Sequence, residues 1–204
     1  MRTLMLCLLV VSPALSQVFS IGVKGGVPLT DAFKTAQSGS TSYLSDTKRY
    51  TVGPAVEFHL PFGFGIELDA LYKRLNYSSS ASAASSSTTA NTWEFPLQLK
   101  HRFGAGPVKP YLAAGASFRH VSGIKQVTNF FTSSPSTSTD HPAEFDNRFT
   151  AGFVASGGIE FGSGHFRVAP EVRYTRWGWD NFRSLDSLLK SNADQTEFLI
   201  GITF

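Results

Sequence analysis

Gln195-Thr196-Glu197-Phe198-Leu199-Ile200-Gly201-Ile202-Thr203-Phe204 closes the chain. Phe198, Ile200, Ile202 and Phe204 alternate with Gln195, Glu197, Leu199, Gly201 and Thr203. A period of two sets these groups on opposite faces of one β-strand. One face is wholly apolar and carries an aromatic at each end; the other is mostly small or polar. Such a strand suits the wall of a transmembrane β-barrel, with lipid outside and a polar lumen within.

Working back from this strand, the same alternation recurs in segments of roughly ten to fourteen residues. It predicts strands over 18–28, 49–61, 64–77, 92–103, 108–121, 148–161, 166–177 and 194–204. The fold class expected is therefore all-β, an eight-stranded antiparallel up-and-down transmembrane barrel. Connections alternate in length. Pro61-Phe62-Gly63, Gly104-Ala105-Gly106-Pro107 and Gly162-Ser163-Gly164-His165 are tight turns. Segments 29–48, 78–91, 122–147 and 178–193 are long and rich in Ser, Thr, Asn and Asp. Short turns on the periplasmic side and long loops outside are the pattern of outer-membrane barrels, and an even strand count leaves both ends in the periplasm. The uncharged Ser78–Ala90 segment reads as a mobile, solvated spacer. Leu185, Leu188 and Leu189 have helical spacing, which predicts a short surface helix over 184–190.

Composition agrees with a membrane wall made of strands. Charged residues are 16% of the 204, and aromatics reach 13% with 18 Phe, yet mean hydropathy is near zero. No run of apolar residues is long enough for a spanning helix. Arg2 followed by the apolar Leu4–Val11 and by Ala14-Leu15-Ser16 reads as a secretory signal over 1–16, with the barrel domain over 17–204. Its removal takes away Arg2 as the only charge, so the formal charge falls from +3 to +2. Cys7, the only cysteine, lies in that leader, so the mature chain would have no disulfide or thiol chemistry. No Lys/Arg cluster indicates a nucleic acid.

Charge decides which face is outside. With the apolar parity outward in every strand, no Asp, Glu, Lys or Arg faces the membrane band, where one would cost about 2–4 kcal/mol at the midplane. Outward aromatics gather at strand ends. Tyr50, Tyr72, Trp93, Phe118, Phe149 and Tyr174 are expected toward the loops; Phe19, Phe58, Phe64, Phe103, Phe161, Phe166 and Phe204 toward the turns. Two aromatic girdles at the two interfaces are implied. The opposite parity carries seven acids, Glu57, Glu67, Asp69, Glu94, Glu160, Glu171 and Glu197, and seven bases, Lys24, Lys73, Lys100, Arg102, Arg119, Arg167 and Arg173. An eight-stranded barrel has room for little beyond its own side chains, and buried charges persist only when paired. The balance predicts a lumen charge network that fills the interior. A narrow channel for small solutes is the alternative, and a soluble lipocalin-like binding barrel, with apolar residues inside, a third. Pro54, Pro96 and Pro170 lie inside strands and require bulges or breaks. Trp177 and Trp179 share the inward parity of Thr175, so the seventh strand bulges or ends near them.

Gly65-Ile66-Glu67-Leu68-Asp69-Ala70-Leu71-Tyr72, Trp93-Glu94-Phe95-Pro96-Leu97, Lys109-Pro110-Tyr111-Leu112-Ala113-Ala114-Gly115, Pro170-Glu171-Val172-Arg173-Tyr174 and the terminal Phe204 carry a resemblance. Over nearly the whole mature chain the sequence resembles the small bacterial outer-membrane β-barrel family, the porin-family or OmpA/OmpX-like barrels. The resemblance implies a Gram-negative cell envelope. It also implies that Phe198, Ile200, Ile202 and Phe204 form the terminal signal read by the barrel-assembly machinery.

Enzymes on such barrels need a nucleophile or activated water near His and acid at the outer rim. His59 and His165 fall at the turn end and His101 faces lipid. His120 with Ser122, and Asp140, His141 and Glu144, have no catalytic or metal-ligand spacing. No catalytic, cofactor or metal site is expected. The expectation is a non-enzymatic, monomeric outer-membrane protein in contact with lipid, having a structural or surface-interaction role and an unidentified loop partner.

Overall fold

Apolar and polar side chains in strict alternation leave the backbone one economical solution, and strands dominate the chain. The computed structural model describes residues 18–31, 33–35, 37–38, 41–45, 50–80, 84–104, 106–130, 136–139, 148–163, 166–178 and 189–204. The wall comprises β1 (Phe19–Pro28), β5 (Thr51–His59), β6 (Phe64–Asp69), β7 (Leu71–Ser80), β8 (Ala84–Arg102), β9 (Val108–Phe130), β11 (Phe149–Ser163), β12 (Phe166–Trp177) and β14 (Asp194–Thr203). Among the described residues five short strands lie in the loops: β2 (Phe33–Thr35), β3 (Gln37–Ser38), β4 (Thr41–Ser45), β10 (Thr137–Thr139) and β13 (Leu189–Ser191). No helix among the described residues is long and apolar enough to cross a membrane, which says nothing of strands.

β6 and β7 lie end to end as one wall strand, so eight antiparallel strands run from β1 through β5, β8, β9, β11 and β12 to β14. β14 then pairs with β1, Val23 opposite Ile202 and Val27 opposite Phe198. The Phe204 amide donates to the Ile21 carbonyl at 2.8 Å. Closure leaves the wall without a free edge.

The strand-interior prolines are accommodated by breaks, not bulges. Pro54 lacks the N–H that would meet Ala70; only the reverse bond, Ala70 N–H to Pro54 carbonyl at 3.0 Å, forms. Ladder bonds alternate sides along a strand, so Asp69 turns toward β8, where Pro96 also lacks a donor. Both prolines deprive the third wall strand at neighbouring residues, and it parts there into β6 and β7. Pro170 likewise interrupts the β11–β12 ladder without shifting its register: Gly158 faces Glu171 and Phe161 still faces Val168. Among the described residues the one register shift lies between β8 and β9. Thr89 faces Lys125 but Asn91 faces Ser122, so β9 carries an extra residue. Gly123 fills that bulge at φ 57, a left-handed conformation that other residues adopt at a cost.

Three sequence expectations are corrected. The Ser78–Ala90 spacer is, in its described residues, a hairpin ladder: Ser78 faces Ser87, Ser79 faces Ser86 and Ser80 faces Ser85. β9 runs on to Phe130, well past the boundary at 121, and pairs there with β10. Where both faces of a sheet can be wet, backbone pairing continues after hydrophobic alternation has stopped. The helix over 184–190 is not supported at its end, where Leu189–Ser191 forms a strand against Phe33–Thr35; residues 184–188 lie outside the described residues. So do 1–16, His141, His165 and Trp179. β12 ends at the buried Trp177.

Candidate functional site

Charges line the interior in three levels. At the turn end Arg102 reaches Glu57 at 2.6 Å and Glu160 at 2.9 Å. Arg167 lies 3.7 Å from Glu160 and within 3.2 Å of the His59 ring. The middle level is the most enclosed. Lys24 pairs with Glu67 and, at 2.8 Å, with Glu171. Arg173, 1% exposed, pairs with Asp69 at 2.6 Å and with Glu171 at 2.8 Å. Lys100 joins these two levels, 2.9 Å from Glu67 and 3.4 Å from Glu57. Toward the loops Lys73 bridges Glu94 at 2.5 Å and Glu197 at 2.7 Å. Arg119 meets Glu94 at 2.7 Å and stacks 3.8 Å over the Trp177 ring.

All fourteen inward charges named from the sequence thus lie in these pairings. The two lower levels together hold five acids and five bases, and the upper level two of each. Charges with several hydrogen-bonded partners are what a low-dielectric interior tolerates. Leu71, Val154 and Leu199 are wholly buried. They occupy inward positions, and Leu71 falls between Asp69 and Lys73 on its wall strand.

Neutral side chains complete the network. The Tyr111 hydroxyl donates to Glu171 at 3.0 Å, lying so close over Gly158 that a Cβ there would sit 2.6 Å from the hydroxyl oxygen. Thr51 donates to Glu197 at 2.9 Å, Arg119 donates to the Gln195 side-chain oxygen, and Ser156 donates to Gln98 at 3.1 Å. Their inward parity was the available signal.

The outer wall is the reverse. Leu112 is 60% exposed and Leu99 53%, beside Val23, Val52, Phe153 and Ile200, all exposed. A soluble lipocalin-like barrel would hide these and expose the charges. Aromatics pair at both ends of the wall. Tyr72 lies 6.4 Å from Tyr50 and 5.4 Å from Trp93, and Phe118 6.2 Å from Phe149, at the loop end. Phe19 lies 5.1 Å from Phe58, and Phe166 5.7 Å from Phe204, at the turn end. His101, outward, sits between Phe64 and Phe103 at 4.4 and 4.7 Å. Phe161 is exposed on β11, and Tyr174 bonds Asp194 at 2.5 Å.

Of the candidate chemistry, His120 is exposed on the outer wall, and Asp140, His141 and Glu144 lie outside the described residues. Among the described residues no group of three or more His, Cys, Asp or Glu could hold a metal ion.

A family model described as an outer membrane protein β-barrel domain matches residues 15–179. No curated protein matches the chain. Among solved structures it is similar to Neisserial surface protein A, at 12% identity over 91% of this chain and 95% of that one, TM-score 0.46. The N-terminal β-barrel domain of Pseudomonas aeruginosa OprF is similar at 12% identity over 91% and 97%, TM-score 0.40. Ail, the attachment invasion locus protein of Yersinia pestis, is similar at 14% identity over 92% and 97%, TM-score 0.38.

Proposed function

The chain belongs to the outer membrane protein β-barrel domain family, and on that premise we propose that it is an integral protein of the bacterial outer membrane with a side-chain-filled lumen and a structural or surface-interaction role. The supporting observation is the inversion of polarity across the wall: Leu112 is 60% exposed while Arg173 and Glu171 are 1% exposed. Water around the barrel would make that arrangement unfavourable at every level; hydrocarbon makes it favourable. In this reading the outer wall is held by lipid, the aromatic belts sit at the two interfaces, and the loops meet any partner. Residues 1–16 direct export, and the barrel inserts as a monomer. Phe198, Ile200, Ile202 and Phe204 offer the assembly machinery its terminal strand, with Phe204 already zipped to β1.

Fractionation and gel mobility test this. The native protein is expected in the outer-membrane fraction, migrating faster unheated than boiled. Recovery in the soluble periplasmic fraction would overturn the proposal. The channel alternative draws on the column of lumen charges. Planar-bilayer recording separates the two: the filled lumen gives no conductance steps, whereas steps from purified, folded protein would establish a pore.

A further inference from the structure

Three exposed basic residues on neighbouring wall strands take no part in the lumen: Arg74 on β7, and His120 and Lys125 on β9. They alternate with buried Lys73 and Leu75, Arg119 and Val121, and Ile124, so they point outward. They also lie at a particular height. Tyr72 faces Trp93 and Trp93 faces His120, which places His120 in line with the loop-end aromatics. One step beyond, Arg74 faces Asn91; beyond the bulge, Lys125 faces Thr89. The Asn91 side-chain oxygen accepts from the Tyr72 hydroxyl at 2.8 Å, so its amide remains a donor.

Among the described residues no acid neutralises this corner. The sequence has no Asp or Glu from Leu71 to Trp93, or from Phe95 to Thr139. Glu94, the one acid of this wall, faces inward to Lys73 and Arg119. Arg74, His120 and Lys125 form no ion pair with any described residue. Elsewhere on the same rim the charge is matched: Arg176 of β12 lies 3.9 Å from Asp194 of β14.

Tyr and Trp belts mark the headgroup level of a bilayer. Cations at and just above such a belt meet lipid phosphates, where charge-assisted hydrogen bonds are strong and water is partly excluded. Two strand spacings and one two-residue step set the Arg74 and His120 Cα atoms about 12 Å apart, a span that a phosphorylated sugar headgroup bridges. We propose that the outward rim of β7, β8 and β9, with Arg74, Asn91, His120 and Lys125 as donors, binds the phosphate-bearing headgroup of an outer-leaflet glycolipid. Its acyl chains would run down the wall past Trp93 and Phe118. This rests on the reading above that the loop end faces the outer leaflet.

The test uses the full barrel domain in phosphatidylcholine vesicles doped with bis-phosphorylated lipid A, or with the same lipid after enzymatic removal of its phosphates. Lipid retained on the purified protein is counted by mass spectrometry. The wild type is expected to retain the phosphorylated lipid at least about tenfold better, the effect of even one charge-assisted hydrogen bond. The triple variant Arg74→Gln, His120→Gln, Lys125→Gln should lose that preference, and Arg176→Gln should keep it. Equal retention of both lipids by the wild type, or an undiminished preference in the triple variant, overturns the proposal. Heat-modifiable mobility is recorded on every sample. Its absence in the wild type condemns the barrel-in-membrane reading itself, whereas its presence without lipid preference condemns only the glycolipid site.

Discussion

Replacing Arg173 by Met separates a dry, filled lumen from a wet one. Arg173 is 1% exposed and holds Asp69 at 2.6 Å and Glu171 at 2.8 Å. Without it Lys24 alone faces both carboxylates and Glu67, and Lys100 reaches only Glu67 of the three. In an interior without bulk water, removing one member of a buried pair costs about 3–5 kcal/mol because a charge is left uncompensated. In a lumen open to water the same pair is worth only about 0–1 kcal/mol. Urea unfolding in lipid vesicles, followed by tryptophan emission and gel mobility, measures the difference. The filled lumen predicts destabilisation of at least about 3 kcal/mol for Arg173→Met. It also predicts partial rescue in the Arg173→Met, Asp69→Asn double variant, because that variant removes one stranded charge. A loss below about 1 kcal/mol, with additive single and double variants, would refute the reasoning and favour a hydrated channel.

Leu99→Arg, on the outer wall between the exposed Trp93 and Phe103, should destabilise the barrel in vesicles by about 2–4 kcal/mol; an exposed site on a water-facing surface would change by about 0.5 kcal/mol or less. Leu199→Ala empties a wholly buried inward position and should cost about 2–5 kcal/mol in the same unfolding assay. Gly123→Ala places a Cβ in a left-handed conformation 3.0 Å from the Asn91 amide nitrogen, and should cost about 1–2 kcal/mol, whereas Gly104→Ala, with no atom within 4 Å, should lose only its conformational part. Deleting Phe204 removes the 2.8 Å bond to Ile21 and the contact with Phe166, and should slow assembly into membranes in cells, read as accumulation of the unfolded, slowly migrating form.

The wall was legible because lipid imposes one rule on every spanning strand, and Phe198-Leu199-Ile200-Gly201-Ile202 obeys it in five residues. The rule ends where the membrane ends. Ser78–Ser80 and Ser85–Ser87 pair residue by residue, but a run of one residue type gives no contrast between faces, so the hairpin read as a spacer. Pro54 and Pro96 signalled trouble, but each acts on the strand beside it: the break falls at Ala70, which carries no mark of its own. The bulge at Gly123 is one glycine among 18. Inside, parity identifies which side chains turn inward, but partners follow from strand stagger around the closed wall. Lys24 meets Glu67 and Glu171, 43 and 147 residues away, and no local spacing encodes that meeting. The neutral donors Tyr111 and Thr51 share the same inward parity, which marks their face but not their partners.

A membrane-spanning barrel requires hydrocarbon against the apolar wall. Single-cysteine variants at Leu99 and Leu112, and at Thr175 on the inward face, can carry nitroxide labels in a chain otherwise without cysteine once Cys7 is removed. Electron paramagnetic resonance power saturation in vesicles then compares collision with oxygen, which concentrates in lipid, against a water-soluble nickel chelate. Labels at 99 and 112 should respond to oxygen and ignore nickel, while the label at 175 responds weakly to both. Strong nickel accessibility at 99 and 112 would place water against the wall and contradict the account.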